Sequence, residues 1–177
     1  MIILEGPDGS GKSTLANWLH EQTGMPIYHS SRAPKNEDEL DERLFDSVAI
    51  MKIPGIQDRT PWVSEPIYGL IKSGDQTQSR WAYYQAVLIL LRPILIYCRP
   101  PLETIEEYAG QSSDQDESVS YLNWVVENMN KLVLAYDSFM GQVPLTITYD
   151  WTTKDAEKKR SEILRLILKK STNKKHD

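Results

Sequence analysis

Eight residues near the N-terminus, Gly6-Pro7-Asp8-Gly9-Ser10-Gly11-Lys12-Ser13, carry the spacing G-x-x-x-x-G-K-[ST]. Three glycines let the backbone curl until successive N–H groups face one anion, and a helix opening at Lys12 adds the positive end of its dipole. Lys12 offers a compact charge to the outer phosphates of a nucleotide, Ser13 a hydroxyl for Mg²⁺, and Thr14 a second hydroxyl beside it. The pattern predicts a phosphate cradle contacted by Gly6, Asp8, Gly9, Ser10, Gly11, Lys12, Ser13 and Thr14.

Moving a phosphoryl group needs positioning and charge neutralisation more than covalent help, so a metal ligand and further cations are expected beside the cradle. Asp58 either completes the Mg²⁺ shell with Ser13 or takes a proton from an attacking hydroxyl. Arg59 is planar, always charged and suited to bidentate phosphate contact. Arg99 directly follows a strand end, whereas Arg80 lies on a helix and reads as surface. Arg59, Trp62, Glu65, Tyr68 and Tyr84 are the candidate acceptor contacts, the aromatic rings as a floor for a stacked base; Trp81 reads equally well as core. His20, His29 and His176 are scattered, so neither a zinc site nor a Ser-His-Asp triad has its parts. Cys98 reads as a buried strand residue.

These residues need elements to hold them. Met1–Leu4 reads as a strand ending at Glu5-Gly6, and Lys12–Thr23 as a helix with Leu15, Trp18 and Leu19 on one face, closed by Gly24. Met25–His29 reads as a strand, Asn36 as the cap of an acidic-ended helix bearing Leu40, Leu44, Val48 and Met51, and Ile56–Asp58 as a third strand. Arg59–Gly74, with Pro61, Pro66, Gly69 and Gly74, reads as an irregular loop. A helix over about Gln76–Leu91, the apolar strand Ile94–Cys98, a short helix after Pro100-Pro101, and a long helix Val119–Met140 follow. Val143–Tyr149 is the fifth strand and a helix capped by Asp155 runs to about Lys170. Strands alternating with helices imply a doubly wound, five-stranded parallel sheet of the α/β class, with ligands at the strand C-termini.

The 177 residues fit one domain, 1–170, with a basic, frayed tail at 171–177. A net charge of −5 hides a division: residues 154–177 hold nine Lys/Arg against four Asp/Glu, which leaves 11 basic and 21 acidic residues before them. An acidic body disfavours a broad footprint on duplex DNA. No apolar run nears the roughly 20 residues of a membrane span, and one cysteine allows no internal disulfide. A cytoplasmic protein is the expectation. Aromatic residues on the helices 76–91 and 119–140 would permit a homodimer.

The stretch Gly6-Pro-Asp8-Gly9-Ser-Gly11-Lys12-Ser13-Thr14 resembles the thymidylate kinase version of this loop, with Asp third and Gly after it. Asp58-Arg59 is similar to the Asp-Arg pair of thymidylate and deoxynucleoside kinases. Arg92–Glu103, with its Arg-Pro-Pro-Leu-Glu ending, resembles the strand and Pro-Pro-Glu stretch of thymidylate kinases. Asp58–Gly69 and Tyr149–Thr152 look like segments of phage-encoded members. The resemblance spans Met1 to about Thr152. It implies a P-loop kinase fold with a short lid, ATP and Mg²⁺ as cofactors, Arg99 on the nucleotide side, Asp8 at the acceptor, transfer of the γ-phosphate to a thymine-related acceptor, and, if phage-encoded, a place in the host cytoplasm. The segment Gly110–Ser118, where a lid with arginines is expected, has no Lys or Arg and three acids. That leans the acceptor toward the hydroxyl of 5-hydroxymethyluracil in DNA, with thymidylate (dTMP) or another deoxynucleoside monophosphate as the alternative. A P-loop switch or motor that hydrolyses its nucleotide, and a non-catalytic binding module, are the readings from other classes.

Overall fold

A computed structural model of the chain describes residues 1–29, 34–73, 78–109 and 119–173. Strands β1 (Ile2–Glu5), β2 (Ile27–His29), β3 (Ile56–Asp58), β4 (Ile94–Cys98) and β5 (Ile147–Tyr149) form one all-parallel sheet in the order β2-β3-β1-β4-β5. Both faces are covered, so the central strands carry apolar runs, Ile2–Leu4 in β1 and Ile94–Cys98 in β4. Along β4, Leu95 and Tyr97 enter one core, while Ile94, Ile96 and Cys98 enter the other. The first core is closed by α2 (Glu37–Ile50), α3 (Pro61–Ser73), α4 (Gln78–Leu91), α5 (Leu102–Ala109) and α6 (Val119–Gly141). The second is closed by α1 (Lys12–Thr23) and α7 (Ala156–Asn173). Because β1 is central, the chain leaves it toward β2 and β3 on one side and is flanked by β4 on the other. The loop after β1 therefore opens at the topological switch point.

Register decides which side chains meet there. Leu4 pairs with Asp58, Asp58 with His29, and Glu5 with Tyr97, so the C-terminal ends of four strands lie level.

Two expectations are corrected. The stretch after Arg59 is helix α3, not a loop. Pro61 sits in its first turn, where a missing N–H costs nothing, and the Thr60 carbonyl accepts from Val63 and Ser64 at 3.1 and 2.9 Å. Pro66 lies inside the helix, but Val63 and Ile67 on either side are fully buried. That burial outweighs the roughly 3 kcal/mol an interior proline costs. The fifth strand is shorter than expected, Ile147–Tyr149, because Pro144 has no N–H for a ladder and Leu145 adopts φ 65°. Smaller boundary shifts fall at β2, which starts at Ile27, and at α7, which continues to Asn173. Asn36 caps α2 as expected, accepting from the Glu39 amide at 2.9 Å. Among the described residues no helix is long and apolar enough to cross a membrane. The acidic segment 110–118 and the last four residues of the tail lie outside the described residues.

Candidate active site

The loop between β1 and α1 takes left-handed conformations at Gly9 (φ 79°) and Gly11 (φ 85°). Helix α1 begins without a side-chain cap, so its first-turn amides are left for a ligand. The glycines are also required by what surrounds them. A Cβ on Gly9 would stand 2.6 Å from the Ala109 nitrogen and the Ile105 carbonyl of α5, both backbone atoms. One on Gly11 would meet the Trp151 indole nitrogen at 2.7 Å. Gly9→Ala is therefore expected to lower stability by about 2–4 kcal/mol, combining a strained φ with an unyielding contact. Denaturant unfolding measures it, and a loss below about 0.5 kcal/mol would show that α5 does not brace the loop. Lys12, buried, arches over the loop and donates from Nζ to the Pro7 carbonyl at 2.7 Å.

Ser13 and Asp58 are 45 residues apart in sequence and meet at the mouth of the loop, Ser13 Oγ donating to Asp58 Oδ2 at 2.8 Å. The other carboxylate oxygen, Oδ1, is buried with no hydrogen-bond partner, and the exposed His29 Nδ1 lies 3.7 Å from Oδ2. One hydroxyl and one carboxylate with an unused oxygen are hard ligands that fit Mg²⁺, which keeps several waters and takes its remaining ligands from substrate phosphates. Among the described residues, no three His, Cys, Asp or Glu side chains form a cage that would do without those phosphates.

Arg59 follows Asp58 at φ 67°, a left-handed conformation that costs a non-glycine residue about 1 kcal/mol. The turn throws its guanidinium back across the loop. There Nη2 pairs with Asp8 Oδ1, while Nη1 donates to the Tyr68 hydroxyl at 3.1 Å and the Tyr136 hydroxyl at 3.4 Å. Asp8 Oδ2 also accepts from Tyr68 at 2.9 Å and Tyr121 at 3.4 Å. Burial alone would push the Asp8 carboxyl up. Arg59, Lys12 and the two phenols outweigh it and hold Asp8 below the ordinary carboxylate range. For Lys12, burial first and the Arg59 charge second push the ammonium down, against Asp8 and Asp58.

Glu5 ends β1 with 0% exposure. Its Oε1 accepts from the Thr60 amide at 2.5 Å and from Ser64 Oγ at 3.3 Å, and Oε2 accepts from Tyr136 at 3.3 Å. Burial raises its carboxyl to about 7, against the lowering effect of Arg59, the Thr60 amide and Lys12. A raised acid is protonated more readily in the folded than in the unfolded chain. Its favourable contribution is complete below the unfolded value of 4.5 and disappears as pH climbs to about 7. The expected fall in unfolding free energy across that window is about 3 kcal/mol. Asp8 acts oppositely and at lower pH, its contribution vanishing as pH drops below the ordinary Asp range. Unfolding curves at pH 5 and 8 measure the Glu5 effect, and an unchanged pH slope in Glu5→Gln would assign it elsewhere.

The structure thus gathers Asp8, Lys12, Ser13, Asp58, Arg59 and Tyr68 into one cluster. Thr14 is exposed on the first turn of α1. Glu65 lies one turn before Tyr68 on α3, half-buried, its carboxyl raised by burial against Arg43, Lys72 and Arg59. Trp62, expected in a loop, is a core residue of α3, 3% exposed, set edge-on to Tyr84 at 5.6 Å. Both line a groove with Leu44 and Val48 of α2. Trp81 is likewise core, packed edge-on to Phe139. Arg99 is clamped to Asp137 of α6 by two bonds, Nε to Oδ1 at 2.9 Å and Nη2 to Oδ2 at 3.0 Å. The side chain of Arg80 lies outside the described residues.

Sequence reading passed over Glu5, Tyr121, Trp124 and Tyr136. Tyr121 and Trp124 stack at 6.5 Å near the N-terminus of α6, with Lys72 Nζ 5.6 and 5.2 Å from their ring centres. Glu5 had a readable signal, a carboxylate closing an otherwise apolar strand; the α6 aromatic residues had none beyond helical periodicity.

No family model matches the chain, and no curated protein matches it. Among solved structures, it is similar to the YorR protein of Bacillus subtilis in complex with phosphorylated GDP, at TM-score 0.69 and 19% identity over 97% of each chain. It is similar to deoxyadenosine kinase from M. mycoides with bound dATP, at TM-score 0.61 and 18% identity over 97% of this chain and 98% of that one. Polyphosphate kinase 2 from Arthrobacter aurescens TC1 aligns at TM-score 0.58 and 12% identity, over 94% of this chain and 65% of the other. At such identities the likeness is one of architecture: the chain has an α/β fold with a five-stranded parallel sheet flanked by helices, the fold it shares with these solved structures.

Proposed function

We propose that the chain is an ATP-dependent phosphotransferase of the nucleotide-kinase kind, acting on a thymine-related acceptor. The observation that carries this reading is the Ser13–Asp58 hydrogen bond at the mouth of a glycine cradle, with Lys12 on the loop and Arg59 beside it. Ser13 and Asp58 would hold Mg²⁺, which would supply charge neutralisation for the transferring group. Lys12 neutralises the transferred group, and the loop amides with the α1 N-terminus orient it. The named substrates and ligands of the structural neighbours, deoxyadenosine and phosphorylated GDP among them, support a nucleotide site in this fold.

Charge supports a hydroxyl as the attacking group. Of the described side chains at the cradle, Lys12 and Arg59 are cationic, whereas Glu5, Asp8 and Asp58 are acids, and Arg59 is already paired with Asp8. A phosphate acceptor needs spare cations; a hydroxyl needs a nearby base. We therefore favour the 5-hydroxymethyl group of uracil in DNA over dTMP. The target base would leave the stack to reach the cradle, and Tyr68 stands beside it. The Lys72 ammonium over Tyr121 and Trp124 favours the second reading, in which a nucleoside monophosphate is bound there.

Transfer of a labelled γ-phosphate tests both. The assay compares thymidine, dTMP, other monophosphates, and DNA with and without 5-hydroxymethyluracil. Label in the modified DNA alone is the expected result, and label in dTMP selects the second reading. Label released only as free phosphate overturns the kinase reading in favour of a nucleotide-hydrolysing switch.

A further inference from the structure

Arg59 owes its place in the site to a backbone conformation that its own residue type disfavours. At φ 67° it is one of three non-glycine residues with positive φ among the described residues, and the other two, Arg92 and Leu145, lie in the connections that lead into β4 and β5. Such a conformation persists where its surroundings over-determine it. On the N-terminal side, the Arg59 amide donates to the Leu4 carbonyl at 3.0 Å, extending the β1–β3 ladder by one residue. On the C-terminal side, the next amide, Thr60, is not part of the backbone ladder. Its N–H donates to Glu5 Oε1, at 2.5 Å. Thr60 is fully buried, so without that carboxylate its N–H would be orphaned.

We propose that Glu5 is the positioning residue of Arg59: its buried oxygens pin the Thr60 amide, and through Tyr136 the guanidinium, in the left-handed turn that swings Arg59 over the phosphate cradle. Tyr136 makes the second link, accepting from Arg59 Nη1 at 3.4 Å while donating to Glu5 Oε2 at 3.3 Å. Ser64 fills out the carboxylate, donating at 3.3 and 3.4 Å to its two oxygens from the first turn of α3. Glu5 therefore ties together the end of β1, the turn after β3, the start of α3 and the C-terminal half of α6. With 0% exposure it touches no substrate and acts only through Arg59. The device needs an oxygen acceptor at this point and no net charge, so Gln serves where an apolar side chain of the same size does not.

This inference rests on the phosphotransferase reading for its kinetic arm, and hydrogen exchange supplies an arm that does not. Glu5→Leu is expected to lower kcat about tenfold, as the loss of one strong hydrogen bond would, with the KM for ATP changed less than about twofold. Glu5→Gln is expected to stay within about threefold of the parent. In an Arg59→Ala background, Glu5→Leu should cause no further loss, since a positioning residue has nothing left to position. Exchange of the Thr60 amide should be accelerated at least about tenfold in Glu5→Leu and little changed in Glu5→Gln. Should Glu5→Leu not fold, Glu5→Ala replaces it with the same expectations. Equal loss in Gln and Leu, additivity with Arg59→Ala, or unchanged Thr60 exchange each overturns the proposal. If the parent transfers no phosphate to any acceptor, the kinase reading falls while Thr60 exchange still decides the role of Glu5.

Discussion

Lys12→Ala is expected to abolish phosphate transfer, by about a thousandfold or more, while the protein stays folded. The size follows from removing the one cation on the loop from a water-poor site, where preorganised charge acts on the transferred group with little screening. Arg59 cannot substitute, because its guanidinium is engaged by Asp8, Tyr68 and Tyr136. Stability should change by only about 1 kcal/mol: the ammonium loses its bond to the Pro7 carbonyl, but a charge held below its ordinary pKa by burial is also removed. Lys12→Arg should rescue little, since a planar fork does not fit where a compact ammonium arches over the loop. Single-turnover transfer of labelled phosphate, alongside thermal unfolding, measures both quantities. Turnover retained within tenfold would mean that the loop binds phosphate without doing chemistry on it.

Asp58→Asn carries the second large effect and separates the two duties the residue could have. The amide keeps a carbonyl oxygen for Ser13, whose hydroxyl donates to Asp58 Oδ2 at 2.8 Å, so local structure should survive. Removing the charge weakens the Mg²⁺ shell, and the Mg²⁺ concentration for half-maximal rate should rise by at least tenfold. If Asp58 also takes the acceptor proton, a hydroxyl acceptor loses about 10²- to 10⁴-fold at saturating Mg²⁺, and a phosphate acceptor does not. Of the three acids at the cradle, Asp58 is the one with an unpartnered oxygen. Glu5 is sealed and Asp8 is held as an anion by Arg59. Rates with both acceptor kinds across a Mg²⁺ titration give the answer. Equal, small losses with an unmoved Mg²⁺ requirement would remove Asp58 from the chemistry.

The buried polar cluster under the cradle bears on both experiments. Asp8, Arg59, Tyr68, Tyr121, Tyr136 and Glu5 form one connected set, and single substitutions within it are not expected to add. Lys12 and Asp58 lie at its edge, joined to it by charge more than by hydrogen bonds, which makes them the cleaner probes.

Much of this molecule could be read in one dimension, for a physical reason. The cradle, its strand and its helix are contiguous, and the glycines that allow positive φ, the lysine and the serine act within eight residues of one another. Strand-helix alternation likewise foretold the doubly wound sheet, because burial on both faces leaves continuous apolar runs such as Ile94–Cys98. Local signals misled where burial outweighed propensity. Two prolines and a glycine in Pro61–Ser73 read as a loop, yet the apolar face of α3 had a core to enter.

What tertiary structure alone decided is who answers whom across the chain. Asp8 meets Arg59 over 51 positions, Glu5 meets Tyr136 over 131, and no spacing rule reaches that far. These pairings arise because a parallel sheet brings the ends of β1 and β3 level while α3 and α6 cross above them. By itself the sequence determined where a turn of glycines, a lysine and a serine would form between a strand and a helix. Only the folded chain decided that Arg59 would be neutralised by Asp8 and aimed by Glu5, because those contacts depend on side chains converging in a dry interior where an unmatched charge cannot stay.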